Sequence, residues 1–203
     1  YLIASRALFM TAGPIFVVLA VLADPVVLLL FGPEWNEAPI LLSVLAISAL
    51  FIVAVRPASS IAYAQDRTFY IALTNGINFV TLSALLWGGF AWYGLSGFLT
   101  GQVIGAVIQM MTASWMVKRL ISITYIEQFE VLVVPLLAMV CMAFCLYYAA
   151  PLIHYGNQWT LFFSIGAVCM SCIIAYIAVI VLAWNLLGRP EGLEKAILKA
   201  VFE

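Results

Sequence analysis

An arginine inside an apolar run is the first residue of this sequence that could do chemistry. Arg56 stands in Ala54-Val55-Arg56-Pro57-Ala58. A cation buried in hydrocarbon costs at least about 2.5 kcal/mol, so it must reach water, pair, or line a cavity. In a cavity its planar fork would hold an anionic phosphate. Lying roughly 12 Å from the inner end of a long helix, it could instead snorkel to the surface and anchor that helix. Pro57 should kink the helix and free a carbonyl in either case.

Asn75 and Asn78, three residues apart, and Gln102 and Gln109, seven apart, each mark a polar face of a helix. Amides there join neighbouring helices by hydrogen bonds, or line a wet path past a polar headgroup. Asp24 is the one carboxylate within an apolar span. It could bond nearby backbone, face an outer vestibule, or couple transport to a proton or cation. Counted along straight antiparallel helices it lies some 18 Å from Arg56, too far to pair. The sequence has no Ser/His/Asp set in a polar region, no HExxH, no phosphate-binding glycine loop and no carboxylate cluster. No catalysis, cofactor or metal is expected. Cys141 with Cys145 and Cys169 with Cys172 fall inside apolar runs and read as small packing residues; His154 stands alone in a loop.

The elements that position these residues follow from composition. The chain has 67% hydrophobic and 8% charged residues and a mean hydropathy of +1.18, far too little polar surface for a soluble domain. The formal net charge of -1 gives no indication of a nucleic-acid partner. Apolar runs at roughly 8–31, 37–64, 69–92, 94–117, 131–150 and 159–187 predict six transmembrane helices. Helix is required because hydrocarbon leaves no partner for an open backbone. The predicted connections are residues 32–36, 65–68, 92–94, 118–130 and 151–158. Tyr1 to Arg6 resembles the tail of a preceding segment rather than a signal peptide, so a piece of a longer protein is expected.

Arg6, Arg67, Lys118, Arg119, Arg189, Lys195 and Lys199 fall on one side of this six-span arrangement and none falls on the other. The positive-inside rule makes that side cytoplasmic, with both ends of the chain there. Trp35, Trp87, Trp92 and Tyr155 gather at the outer ends, and Tyr63, Trp115 and Trp184 at the inner ones, as interfacial belts do. Glycines 97, 101 and 105 share one face and allow close approach of another helix. Past Gly188, Leu193, Ile197, Ala200 and Val201 recur at helical spacing, predicting a short amphipathic tail.

Between the first two runs, Phe31-Gly32-Pro33-Glu34-Trp35-Asn36-Glu37-Ala38-Pro39 reads as the tight turn of a membrane hairpin. Gly32 and Pro33 stop one helix, and Asn36 is expected to cap the next. Asp24-Pro25-Val26-Val27-Leu28-Leu29-Leu30-Phe31-Gly32-Pro33-Glu34-Trp35, followed by Ala38-Pro39-Ile40-Leu41-Leu42, resembles a helix end and helix start in bacterial polysaccharide flippases. These are the Wzx or PST type of the multidrug/oligosaccharidyl-lipid/polysaccharide exporter superfamily. The run Gly94 to Gly105 resembles the G-x-x-G-x-x-x-G opening of the corresponding helix. Ile121-Ser122-Ile123, with Pro135 and Met139 beyond, resembles the linker and helix that follow, so the likeness runs from about Asp24 to Met142.

The resemblance implies an all-α, polytopic, MATE-like fold whose two lobes face a central cavity. Residues 1–117 would be four second-lobe helices, 118–187 two additional helices, and 188–203 a cytoplasmic amphipathic tail. It implies a bacterial inner-membrane transporter that moves undecaprenyl-pyrophosphate-linked oligosaccharide for exopolysaccharide, capsule or O-antigen (lipopolysaccharide) biosynthesis. Its partners would be membrane lipid, the lipid-linked oligosaccharide, an N-terminal lobe of the same protein and polysaccharide polymerase or export machinery. Arg56, Asn75, Asn78, Gln102 and Gln109 would then meet substrate, and Asp24 the coupling ion. A cation-coupled multidrug antiporter of the same superfamily, or a polytopic membrane enzyme of polysaccharide assembly, are the alternatives.

Overall fold

Proline and glycine set most of the helix boundaries. The computed structural model describes residues 1–153 and 156–186. Helix α1 (Leu2–Val21) is followed after a break at Leu22 by α2 (Ala23–Phe31). The span read as continuous from 8 to 31 therefore begins earlier and is interrupted. Pro25 brings no N–H to the carbonyl four residues back, and its ring crowds that turn. Helix α2 stops at Gly32, whose φ of 86° a side chain would resist.

Helix α3 (Ala38–Val55) follows the turn, but Asn36 does not cap it. Glu37 holds the cap position with no side-chain cap bond, and the Ala38 N–H donates to the Trp35 carbonyl at 3.2 Å instead. Turn geometry has taken the donor that Asn36 was expected to satisfy. Helix α3 gives way at Arg56-Pro57 to α4 (Ala58–Ala64), the interruption expected of Pro57. There the Arg56 N–H donates to the Val53 carbonyl, which Pro57 cannot serve, in a long 3.4 Å bond.

Helix α5 (Thr68–Ile121) contains a non-helical Gly94, with φ 62° and ψ -138°. Across it Gly89 abuts Gly97, Gly101 abuts Leu85 and Gly105 abuts Leu82. Farther along, Thr112 Oγ1 donates to Asn78 Oδ1 at 2.9 Å. Partners that recede symmetrically from residue 94 mean two antiparallel arms, 68–93 and 95–121, packed side by side. The glycine face expected to receive another helix thus receives the other arm of its own helix.

The connection read as residues 118–130 shrinks to 122–124. Helix α5 runs on to Ile121, Ser122 takes the left-handed conformation (φ 57°), and α6 (Tyr125–Ala149) starts at once. Thr124 Oγ1 accepts from the Glu127 N–H and Glu127 Oε2 accepts from the Thr124 N–H, a complete capping box. A 3-10 turn (Ala150–Leu152) and α7 (Gln158–Leu186) complete the fold. Among the described residues five helices are long and apolar enough to cross a membrane, counting α3 with α4 as one, and no strand is present. His154, Tyr155 and the tail at 188–203, with Arg189, Lys195 and Lys199, lie outside the described residues.

In the bundle α1 lies against α3 and α6, α3 against α5, and α6 against α7, while α2 touches α3 and α7. The larger core gathers Phe9, Val17, Leu22, Met139, Met142 and Tyr176; a smaller one joins Ala58 and Ala62 to Met116 and Val117. Side-chain hydrogen bonds stitch the helices where backbone is left open. Pro14 cannot donate to the Met10 carbonyl, and the Tyr176 hydroxyl of α7 does so at 3.0 Å. Ser43 Oγ donates to the Ala20 carbonyl, beside the α1–α2 break, at 2.9 Å.

Tyr176→Phe should destabilise the protein by about 1–3 kcal/mol, the cost of an orphaned buried carbonyl, read as a lower Tm in detergent. With Pro14→Ala the helix recovers its own donor to Met10, so the same change should cost far less in a double-mutant cycle. Gly101→Leu forces a side chain onto the Leu85 carbonyl, which a Cβ would already approach to 2.8 Å. It should cost about 1–3 kcal/mol by overpacking. Gly76→Leu, where a Cβ meets nothing within 4 Å, is the control that should leave Tm near its starting value.

Candidate functional site

The helix interruption at Arg56-Pro57 sets Arg56 at the point where α3 ends and α4 begins. Ser59 Oγ donates to the Arg56 carbonyl at 3.1 Å, meeting an acceptor at the break. The guanidinium is exposed and joins no ion pair among the described residues. It borders a cavity of about 100 Å³ that is closed on the other side by both arms of α5.

Three of the four amides singled out from the sequence line that same cavity: Asn75 and Asn78 from the first arm, Gln109 from the second. Antiparallel pairing about Gly94 puts residues near 78 opposite residues near 109, so two polar faces far apart in sequence become one wall. Asn78 is partly committed, because its Oδ1 accepts from Thr112 and ties the arms together. That is the helix-joining role of a membrane amide. The side chains of Asn75 and Gln109 make no hydrogen bond among the described residues. With Arg56 they offer guanidinium donors and amide donors and acceptors, which suit an oxyanion and hydroxyl groups.

Gln102 is not part of this cavity. It lies about 10 Å farther along its arm, two turns toward Gly94. Asp24 is also elsewhere, bordering a separate cavity of about 170 Å³ at the α2–α3 turn with Trp35, Asn36 and Pro39. Asp24 and Arg56 do not pair, and the carboxylate faces the turn.

Ser59 and Thr74 line the Arg56 cavity although neither stood out in the sequence. Ser59 is three residues beyond Arg56 and Thr74 adjoins Asn75, so helical spacing from known polar residues was the available signal. Thr74 Oγ1 is committed to the carbonyls of Tyr70 and Ile71, at 2.9 and 3.1 Å. The four cysteines are free thiols, of which Cys172 is buried and Cys141 and Cys145 are exposed on α6. No protein-family model, curated protein or solved structure matches the chain.

Proposed function

We propose that this chain is a lobe of a multi-pass membrane transporter that carries an undecaprenyl-pyrophosphate-linked oligosaccharide across the bacterial inner membrane. The observation that carries the reading is the convergence of Arg56, Asn75, Asn78 and Gln109 on one cavity within a largely apolar bundle. A cation at a helix break, beside amides from two antiparallel arms, suits a headgroup with both phosphate and sugar hydroxyls. The flippase resemblance from Asp24 to Met142 supplies the cargo class. Asp24 lies at the α2–α3 turn rather than with these groups, which favours this cargo over a cation-coupled drug.

On this reading the bundle crosses the membrane six times. An unbroken helix of 54 residues would reach about 80 Å, against a hydrocarbon core of about 30 Å. Folded at Gly94, each arm reaches about 40 Å and can cross with some tilt. Two crossings there put Arg6, Arg67, Lys118 and Arg119 on one side, the cytoplasmic side by the positive-inside rule, and the Gly32–Asn36 turn on the other. The short links and the MATE-like two-lobed plan belong to the same proposal.

In cells that depend on this protein for polymer export, Arg56→Ala should reduce export and accumulate lipid-linked intermediate, while Arg56→Lys preserves part of it. Full export by the alanine variant at normal protein level would return Arg56 to a surface-anchoring role. For orientation, a membrane-impermeant thiol reagent applied from outside should modify Trp35→Cys but not Lys118→Cys. Modification of both from one side would remove the six-crossing arrangement.

A further inference from the structure

A second and larger cavity, of about 530 Å³, opens between the start of α1, the end of α3, the second arm of α5 and the first turns of α6. It shares a wall made of Ala54, Met110, Phe129 and Leu132 with an adjoining apolar cavity of about 360 Å³. Together they form a groove running along α6 from Gln128 to Ala143, about 22 Å. That is longer than the roughly 15 Å of hydrocarbon in one leaflet. Volumes of this size between close-packed helices are those of ligand sites rather than packing defects.

The two ends of the groove differ. The far end is lined by apolar side chains, whereas the near end carries Ser114, Tyr125 and Gln128. Gln128 is only 8% exposed; its Nε2 donates to the carbonyls of Ser114 and Ile123, and its buried Oε1 has no donor among the described residues. Lys118 follows Ser114 by one helical turn, and its Nζ sits 4.6 Å from the centre of the Tyr125 ring. The Lys118 side chain is exposed and joins no ion pair among the described residues. An apolar groove whose polar end carries Ser114 and Tyr125, with the Lys118 cation beside that tyrosine, matches an anionic lipid with hydroxyls on its head.

We propose that this groove holds a resident anionic phospholipid of the phosphatidylglycerol class. One acyl chain lies along α6 past Phe129 and Leu132, the phosphate sits at Lys118, and the glycerol hydroxyls lie beside Ser114 and Tyr125. The inference needs the helices to lie in a membrane but does not depend on the cargo of the Arg56 cavity.

The test is photolabelling of the full chain in phosphatidylethanolamine vesicles with phosphatidylglycerol carrying a diazirine in one acyl chain. Phosphatidylcholine with the same chain is the comparison probe, and vesicle flotation first verifies insertion. Label on peptides containing Met110, Met111 and Phe129, about fivefold higher for the anionic probe as expected of one lysine at an anionic surface, supports the site. Lys118→Gln should reduce that preference to near unity, and Ser114→Trp should empty the groove of both probes. Equal labelling by the two wild-type probes, or a preference unchanged in Lys118→Gln, would overturn the proposal. So would displacement of the probe by an equal amount of polyprenyl phosphate, which would make the groove a carrier-lipid site. Because transport is not read, failure here leaves the Arg56 reading standing, and failure of Arg56→Ala to affect export leaves this one.

Discussion

A carbonyl that a proline leaves without its helical donor is costly in hydrocarbon, which offers no other partner, so a side chain that reaches it fixes one helix on another. The bundle is arranged around that constraint. Pro14 opens the Met10 carbonyl and Tyr176 closes it from α7, which fixes the approach of the last helix to the first. Beside the break at Leu22 the Ala20 carbonyl accepts from Ser43, fixing α3 against α1. These contacts are few but directional, whereas the surrounding Leu, Val and Met contacts would tolerate rotation of one helix over another. Hydrogen bonds therefore set the register that apolar packing then fills.

The same economy governs α5. Apolar side chains cannot bring two helices to backbone contact, but a face bearing Gly97, Gly101 and Gly105 can, and Gly94 supplies the reversal that makes the partner available. The Gly94 end of this hairpin presents Trp87 and Trp92, each 82% exposed, and the middle of its first arm presents Phe79, 73% exposed. Such surfaces would be costly in water and are ordinary against lipid. Close packing of the arms also builds the cavity wall, since it brings Asn75 and Asn78 across from Gln109 and Thr112 and leaves Arg56 at the open side.

Two cavities at different places in the bundle then divide the chemistry. The small one beside Arg56 is walled by amides and a guanidinium; the long one beside α6 is apolar with a polar mouth. Both depend on helix ends. The first exists because Pro57 interrupts α3, and the second because Ser122 and the Thr124–Glu127 capping box turn the chain tightly into α6.

Composition and the length of the apolar runs made the all-helical class readable, with helices long and apolar enough to cross a membrane, since hydrocarbon would leave an open backbone no partner. Local chemistry also made the Gly32 stop, the Pro57 interruption and the close-packing glycine face readable, because each depends on neighbours within a few residues. The Thr124-x-x-Glu127 signature was equally local, and reading it would have placed the start of α6 correctly. Asn36 misled because a cap depends on backbone angles that the turn, and not residue type, imposes. What only the tertiary structure decided is which faces meet. Helical periodicity marks Asn75, Asn78, Gln102 and Gln109 as facing some neighbour, but says nothing of which neighbour or at what height. Pairing about Gly94 and the docking of α3 choose Gln109 for the Arg56 cavity, leave Gln102 two turns away, and set Asp24 at a different site. The physical reason is that side-chain spacing is fixed by one helix, while proximity is fixed by the relative height and rotation of two.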